Sequence, residues 1–398
     1  MEDRLEVLKG RQACEILDEL GVDCWLIWVR ETDQIVDPVL RFVYGGAFVW
    51  QTALLLTREG ERIAIAGTHD AIGIPEGLFD RIEIYDEGIS AKLRDVMSAL
   101  DPASIAINVS ESDVASDGMT HGMYQLLMRY MEGTPYADRL ISSEELIGKL
   151  RGRKLPSEVK RIREAVRLTE EIFAEQFADL AVGQSEREIQ GRFRQSMVAR
   201  GLGDAWAADH NPAVDAGPDK EFGHGGPSDR LTCAGHLLHF DFGVNSNGYC
   251  SDLQRMIFFG AKEGIPEEVQ RAFDAVLGAI DAAAEALRPG VPGHAIDAIA
   301  RDFVTNLGYE EYKHALGHQV GRNAHDGGVI LGPRWERYGD AVAGEVEVGN
   351  VFTLELNVRT EAYGQVSLEE DVLVTEAGSE FLSTQQRELI CLPPGRPA

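Results

Sequence analysis

Two apolar runs that flank a tight turn, each followed or interrupted by an aspartate, constrain the fold of this chain more than any other segment. Residues 237–244 and 249–259 are rich in aliphatic and aromatic side chains, and residues 245–248 between them read Asn-Ser-Asn-Gly. This pattern predicts a β-hairpin, because Asn and Gly supply the backbone angles that a short turn requires. The hairpin brings Asp241 and Asp252 close to each other.

The register of the hairpin depends on where its turn is centred. A turn centred on residues 246–247 places Asp241 directly opposite Asp252, with their β-carbons ~5 Å apart. A turn centred on residues 247–248 places Gln254 opposite Asp241 and leaves Asp252 as a diagonal neighbour on the same face. Two carboxylates placed directly opposite each other would repel by several kcal/mol, a penalty that a bound cation removes.

Three further residues of metal-ligating type follow, His318, Glu355 and Glu369. With the two aspartates they offer hard oxygen donors and one imidazole, which suit manganese, cobalt or zinc better than metals that prefer thiolate. Four carboxylates balance the charge of two divalent ions, so the sequence predicts a dinuclear centre. A single Asp, Glu or His is more often a solvated or structural residue. Asp241 and Glu355, however, lie inside apolar strings, where an unpaired charge would be costly.

The second glutamate of this set, Glu369, is followed directly by another glutamate. Glu369 and Glu370 precede the apolar run 372–375, and adjacent residues on a strand point to opposite faces of a sheet. Register with that run selects Glu369 as the inward residue. Glu370 is expected on the opposite face or behind a ligand.

Together these residues resemble the pita-bread metallohydrolases, the family of methionine aminopeptidase, aminopeptidase P, prolidase and creatinase. The resemblance covers nearly the whole chain. It implies two divalent metal ions, with manganese preferred and cobalt, zinc or iron as alternatives, bound by Asp241, Asp252, His318, Glu355 and Glu369. Asp252 and Glu369 would bridge the ions, Asp241 would chelate one of them, and His318 and Glu355 would hold the other.

The resemblance also implies catalytic residues. Glu355 is expected to be the general base that acts on a water molecule shared between the ions. His224 and His325 are expected to hold the scissile amide and its oxyanion. His314 joins them if residues 314–318 are helical, because positions four apart share one helical face. His239 shares a strand face with Asp241, and it either reaches the site or is satisfied within the core.

The order of predicted elements indicates two domains. Residues 1–148 form a creatinase-like N-terminal α/β domain, in which helices and strands alternate: helices 5–20 and 89–100, and strands 24–28, 52–57, 63–66, 82–85 and 104–109. Residues 149–398 form the α+β pita-bread catalytic domain that the resemblance implies. A polar segment with Gly and Pro, residues 142–157, marks the boundary. Further helices are predicted at 158–181, 185–200, 266–287 and 294–307, with Ser157 and Ser185 as N-caps of the first two.

Composition restricts the partners and the compartment. The 398 residues carry a formal net charge of −28, which disfavours nucleic acid and anionic membrane surfaces. The five cysteines are odd in number and lack paired spacing, as is typical of reduced thiols. No apolar run reaches the ~20 residues of a membrane span, and the N-terminus resembles no signal segment. We therefore expect a cytoplasmic enzyme.

The expected activity is hydrolysis of the amide bond before proline, because the N-terminal domain resembles that of creatinase, prolidase and aminopeptidase P. Three departures from those peptidases concern the substrate pocket: Glu355 is followed by Leu356-Asn357 instead of Pro-Gly, Ser367 stands where arginine is common, and Glu370 replaces aspartate. The first alternative is therefore a small-molecule C–N hydrolase or lyase acting on creatine, ectoine or a sulfonium compound. The second alternative is a non-catalytic binding module. The resemblance further implies a homodimer.

Overall fold

The structure is a computed structural model, and it describes residues 4–219 and 225–393. The chain divides into two compact units between Arg151 and Gly152. No helix in the described residues combines the length and the apolar character that crossing a membrane requires.

The N-terminal unit is built on a mixed six-stranded sheet with the strand order β4-β3-β2-β1-β5-β6. Its strands are β1 (Cys24–Val29), β2 (Thr52–Thr57), β3 (Arg62–Gly67), β4 (Arg81–Tyr85), β5 (Ile105–Ile107) and β6 (Leu140–Ser142). Its helices are α1 (Leu5–Leu20), α2 (Leu40–Val43), α3 (Thr68–Ile72), α4 (Ser90–Leu100) and α5 (His121–Met131), and α6 (Glu144–Gly152) ends at the boundary. A short 3₁₀ helix covers Pro135–Arg139.

The central strands of this sheet are buried on both faces. Every residue of β1, β2 and β3 is buried, which is the pattern expected when helices cover both sides of a sheet. Helix α1 has the predicted bounds and ends at Gly21, whose φ of 65° closes the last turn in the left-handed conformation. The segment 142–157, predicted as a polar boundary, is largely helical because it contains α6.

The second unit combines long helices with two sheets. Its helices are α7 (Pro156–Ala178), α8 (Glu186–Ala199), α9 (Glu267–Ala286) and α10 (Gly293–Asn306). Its strands are β7 (Gly203–Asp204), β8 (Ala213–Ala216), β9 (Leu237–Phe242), β10 (Val244–Ser246), β11 (Tyr249–Cys250), β12 (Leu253–Phe258), β13 (Val351–Arg359), β14 (Gln365–Thr375), β15 (Gly378–Phe381) and β16 (Ile390–Cys391). Short 3₁₀ helices cover Lys262–Gly264 and Glu336–Val342.

The larger sheet has the strand order β13-β14-β12-β9-β8, with β15 added beside β14 and β16 beside β12. The smaller sheet has the order β11-β10-β7. The predicted hairpin therefore contributes to both sheets, since β9 and β12 pair in the larger one and β10 and β11 in the smaller one. A continuous apolar core joins the larger sheet to α9 and α10.

The turn of the hairpin is centred on Asn247 and Gly248. Ser246 pairs with Tyr249, and Asn247 and Gly248 have φ angles of 52° and 77°. Positive φ at both central residues is typical of the type I′ turn, whose twist matches that of the strands. Of the two registers considered, the structure therefore adopts the one in which Gln254 lies opposite Asp241.

The two predicted N-caps differ in outcome. Ser185 caps α8, accepting a hydrogen bond from the backbone N–H of Glu188, while the Glu188 carboxylate accepts one from the N–H of Ser185. The prediction for Ser157 is wrong, because α7 begins at Pro156, two residues before the predicted start, and its N-cap is Leu155. Proline suits the first helical position, where its fixed φ is already helical and its missing N–H has no partner to lose.

Candidate metal centre

Neighbouring strands of the larger sheet carry the predicted carboxylates at one level. Glu355 on β13 pairs directly with Glu369 on β14. Gln254 on β12 pairs with Glu369 on one side and with Asp241 on β9 on the other. Residues paired in this way project from the same face of a sheet. Asp252 immediately precedes β12 and stands two residues before Gln254, so the hairpin delivers both of its aspartates to this place.

His318 reaches the carboxylates on an extended segment that lies along β13. The N–H of His318 donates to Oγ1 of Thr353 at 3.1 Å, and the N–H of Glu355 donates to the carbonyl of Leu316 at 2.8 Å. A β-carbon on Gly317 would stand 1.9 Å from the carbonyl oxygen of Thr353. Glycine is thus required for the close approach of the two backbones. Residues 314–318 form no helix, so the helical face considered for His314 and His318 does not exist.

The ligand-type atoms converge. One ligand atom from each of Asp252, His318 and Glu369 lies within 4.8 Å of the others. Nε2 of His318 is 3.8 Å from Oδ2 of Asp252 and 3.6 Å from Oε1 of Glu355. The Asp241 and Asp252 carboxyl groups lie close enough for each to shift the pKa of the other. The structure therefore brings all five predicted ligands into one cluster.

Burial disfavours the charged forms of these side chains. It raises the pKa of Asp241 and that of Glu355 to about 7. Burial, together with the neighbouring Asp241 carboxyl, raises the pKa of Asp252, and burial with Asp252 raises that of Glu369. Burial and His325 lower the pKa of His318 to about 3. The imidazole is therefore neutral near pH 7, and neutral imidazole is the form that binds metal ions.

Among the described residues, the cluster lacks a protein cation. Within residues 4–219 and 225–393, no lysine or arginine forms an ion pair with Asp241, Asp252, Glu355 or Glu369. Over the same ranges, Oδ1 of Asp241 and Oε2 of Glu369 are buried without a hydrogen-bond partner. Buried polar atoms without partners are rare in proteins and call for an ion or a ligand. Oxygen donors with one imidazole fit divalent ions such as manganese, cobalt, zinc or iron.

The next two acids of β14 have other surroundings. Glu370 accepts hydrogen bonds from Arg255 at 3.0 Å and from the Ser383 hydroxyl at 2.5 Å. Asp371 accepts one at 3.1 Å from the backbone N–H of Asp252, so it braces the segment that carries this predicted ligand. Of the two adjacent glutamates, the structure thus places Glu369 in the cluster and Glu370 beside Arg255.

The predicted catalytic histidines are placed differently. The ring of His325 meets the ring of His318 edge to face, with centroids 4.1 Å apart. Both ring nitrogens of His314 have hydrogen-bond partners. Nδ1 contacts the carbonyl of Ala315 at 2.8 Å, and Nε2 contacts Nδ2 of Asn357 at 2.8 Å. His224 lies outside the described residues.

His239 is connected to the cluster through another side chain. It is buried, and its ring lies between Asp215 and Gln254, at 3.0 Å from each. Gln254 in turn donates to Oε2 of Glu355 at 3.0 Å. Sequence reasoning did not assign Asp215 or Gln254 to the site. Asp215 carried a usable signal, because it lies within an apolar tetrapeptide strand just as Asp241 lies within a longer one.

The chain is similar to known peptidases. The model of metallopeptidase family M24 matches residues 160–376. An uncharacterized peptidase of Staphylococcus haemolyticus is 33% identical over 241 residues, which are 60% of this chain and 65% of the relative. One of Staphylococcus aureus (strain MW2) is 31% identical over 242 residues, 61% of this chain and 65% of the relative. The match thus spans slightly less than two thirds of these relatives.

Solved structures share the fold of both units. An X-Pro aminopeptidase from Thermotoga maritima superposes with a TM-score of 0.72 at 23% identity, covering 96% of this chain and 99% of its own. An Xaa-Pro dipeptidase from Bacillus anthracis superposes with a TM-score of 0.75 at 22% identity, covering 97% and 100%. The fold is therefore the predicted pita-bread architecture with its N-terminal α/β domain. Since the family model spans more than half of the 398 residues and includes all five predicted ligands, the chain belongs to metallopeptidase family M24.

Proposed function

We propose that the protein is a dinuclear metal-dependent peptidase that cleaves the amide bond before proline. The observation that carries this proposal is the cluster of four carboxylates and one neutral imidazole, with which no lysine or arginine of the described residues forms an ion pair. Asp241, Asp252, His318, Glu355 and Glu369 would together hold two divalent ions, manganese by preference. Such ions would activate a water molecule and polarise the amide carbonyl.

Two side chains supply the remaining chemistry. Glu355, whose Oε1 lies 3.6 Å from Nε2 of His318, is proposed as the general base that accepts a proton from the attacking water. His325, which stands against the ring of His318, is proposed to donate a hydrogen bond to the carbonyl oxygen of the substrate. His224 is proposed for a similar role from the sequence alone.

Proline specificity is proposed from similarity. The two solved structures above carry the names X-Pro aminopeptidase and Xaa-Pro dipeptidase, and both superpose along nearly the whole chain. The ring of proline fixes φ, so a pocket fitted to it gains orientation at low entropic cost. Cytoplasmic location and a homodimer stay predictions.

The substrate proposal is tested on manganese-loaded protein with Xaa-Pro and Xaa-Ala peptides of equal length. We expect kcat/KM to be on the order of tenfold higher, or more, for the proline series. Elemental analysis should find close to two equivalents of metal, and a chelator should abolish turnover. Equal cleavage of both series, or cleavage of neither, contradicts the substrate assignment.

The division of labour between the two neighbouring histidines is tested separately. His318→Ala should lose metal and turnover together, whereas His325→Ala should keep its metal and lose turnover. Metal content by elemental analysis and kcat for an Xaa-Pro peptide are the measurements. Equal loss of metal from both variants contradicts the assignment of His325 to the substrate.

A second candidate function is hydrolysis or lysis of a small molecule on the same scaffold. It is favoured by a polar chain beside Glu355, in which Gln365 donates to Asn357 at 3.1 Å and Asn357 contacts His314 at 2.8 Å. Asn357 stands where the resemblance suggested the glycine of Pro-Gly. Turnover of creatine, ectoine or a sulfonium compound, without cleavage of peptides, would establish this alternative. A protein that binds no metal and turns over nothing would be the non-catalytic module.

A further inference from the structure

A second set of buried polar side chains crosses the larger sheet beside the metal cluster. Asp215, His239, Gln254 and Ser367 stand on β8, β9, β12 and β14, which are consecutive strands of that sheet. We call these four residues the polar row. Each is at most 7% exposed. Four polar groups buried in adjacent strands carry a desolvation cost that only mutual hydrogen bonds offset.

The polar row is continuous. The ring of His239 lies 3.0 Å from Oδ2 of Asp215 and 3.0 Å from Oε1 of Gln254. The hydroxyl of Ser367 contacts the same amide oxygen of Gln254 at 2.5 Å. Asp215 pairs directly with His239 across the two strands, so both side chains project from one face. The row therefore converges on the amide of Gln254.

The amide of Gln254 connects the row to Glu355. Its Nε2 donates to Oε2 of Glu355 at 3.0 Å, while Oε1 of Glu355 lies 3.6 Å from Nε2 of His318. One carboxylate oxygen is thus held by the row, and the other faces the imidazole of the cluster. Rotation of the amide by half a turn would place its oxygen against the carboxylate of Glu355 and lose that hydrogen bond.

We propose that the polar row positions Glu355. Ser367 and His239 hold the amide oxygen of Gln254, which turns the amide NH₂ toward Glu355 and fixes the orientation of its carboxylate. Gln254 is then a positioning residue that acts directly on Glu355, and Ser367 and His239 act through Gln254. This inference rests on the proposed function in treating Glu355 as a metal ligand. Hydrogen bonds behind a ligand typically alter metal affinity or activity by about 10- to 100-fold when removed.

The first test replaces the amide while keeping the length of the side chain. In Gln254→Met, we expect manganese affinity, measured by calorimetry, to fall by about 10- to 100-fold. With an Xaa-Pro peptide, kcat should fall by a similar factor and KM should change little, because Glu355 acts in the chemical step. Unchanged manganese affinity in folded Gln254→Met would overturn the proposal.

A matched control separates positioning from a general loss of stability. Gln386 is also buried and spans the backbone of Met256, accepting from its N–H at 2.9 Å and donating to its carbonyl at 2.7 Å. Gln386→Met should lower the melting temperature and leave manganese affinity unchanged. If its manganese affinity fell as much as that of Gln254→Met, the loss of any buried hydrogen bond would weaken metal binding. That result would overturn the proposal.

A double-mutant cycle tests whether Ser367 acts through Gln254. Ser367→Ala alone should weaken manganese binding several-fold, and Ser367→Thr, which keeps the hydroxyl, should bind nearly as wild type does. In the Gln254→Met background, Ser367→Ala should have no further effect, since residues in one network are not additive. Additive losses would overturn the proposed order. The calorimetry uses no substrate, so failure of peptide cleavage would overturn the proposed function and leave this result standing.

Discussion

Glu369 and Glu370 are neighbours on β14, yet their side chains project from opposite faces of the sheet into different surroundings. Burial raises the pKa of both. Glu370 receives hydrogen bonds from Arg255, from the Ser383 hydroxyl and from the N–H of Gln386. Glu369 instead faces Asp252 and Glu355, which raise its pKa further.

The difference separates a structural carboxylate from one that is proposed as a metal ligand. A buried carboxylate with a full set of donors holds the fold together at its own position. A set of carboxylates that raise one another's pKa destabilises the fold until a cation arrives from outside. On one face of the sheet, donors within the protein offset the cost of burying the charge of Glu370. On the other face, metal ions are proposed to offset that cost.

The largest expected effect comes from neutralising one carboxylate of the cluster around Glu369. Asp252→Asn changes little in volume but removes the charge proposed to bridge the ions. It should lose one equivalent of metal, and kcat should fall by well over the roughly 100-fold seen for residues behind a ligand. The matched variant on the other face, Glu370→Gln, should keep both equivalents. Elemental analysis and kcat decide, and a fully active Asp252→Asn protein with two ions would refute the bridging role.

The next effect is on the pH dependence of the metal-free protein. Asp241 and Glu355 have pKa values raised from 3.8 and 4.5 to about 7 in the folded chain. The folded state therefore binds more protons than the unfolded state between about pH 4 and 7. The free energy of unfolding should fall by several kcal/mol as the pH rises through that window.

Urea unfolding in the presence of chelator measures this dependence. Asp241→Asn should flatten it, because the amide does not titrate. Loading with manganese should remove it, since the ions bind the deprotonated carboxylates. Metal-free stability that rises between pH 4 and 7 would contradict the assignment.

A comparable loss of stability should follow from breaking the pair on the opposite face. Arg255→Met leaves Glu370 buried without its cation, and we expect the free energy of unfolding to fall by about 3–5 kcal/mol. The double variant Arg255→Met/Glu370→Leu should recover part of that loss, because no buried charge remains. Urea unfolding of the metal-free proteins measures both. If the double variant were no more stable than Arg255→Met, Arg255 would be acting through packing alone.

The smallest effect is expected from the loss of a hydrogen bond between uncharged groups, away from both faces of the larger sheet. Ser185→Ala removes the hydroxyl that caps α8 and should cost about 1 kcal/mol of stability. Metal content and pH dependence should stay at their wild-type values. A change in either would mean that the differences above reflect stability in general and not the charges of the two faces.

Much of the site could be predicted from the sequence because its signals are local. An aspartate inside the apolar strand β9 and a glutamate inside β13 are anomalous wherever the strands finally pair. The choice between Glu369 and Glu370 follows from alternation along a strand, which is a local property. Helix α1 and the cap at Ser185 were likewise predictable, since capping depends on a few consecutive residues.

Other features could not be chosen from local pattern. The two hairpin registers differ by two positions, so both place Asp241 and Asp252 on the same face, and alternation cannot distinguish them. The positive φ angles of Asn247 and Gly248 decide the register. Whether residues 314–318 are helical could not be decided either, because it depends on the close approach of β13 to Gly317.

The sequence by itself determined which side chains are available to bind metal and in which order they occur. Only the tertiary structure decided that no arginine among residues 4–219 and 225–393 pairs with them and that Arg255 stands beside Glu370 instead. It also decided that Asp215, His239, Gln254 and Ser367 meet in one row. The physical reason is that strand periodicity is local, whereas the pairing of β8, β9, β12 and β14 joins residues up to 152 positions apart, whose contacts exist only after the sheet has formed.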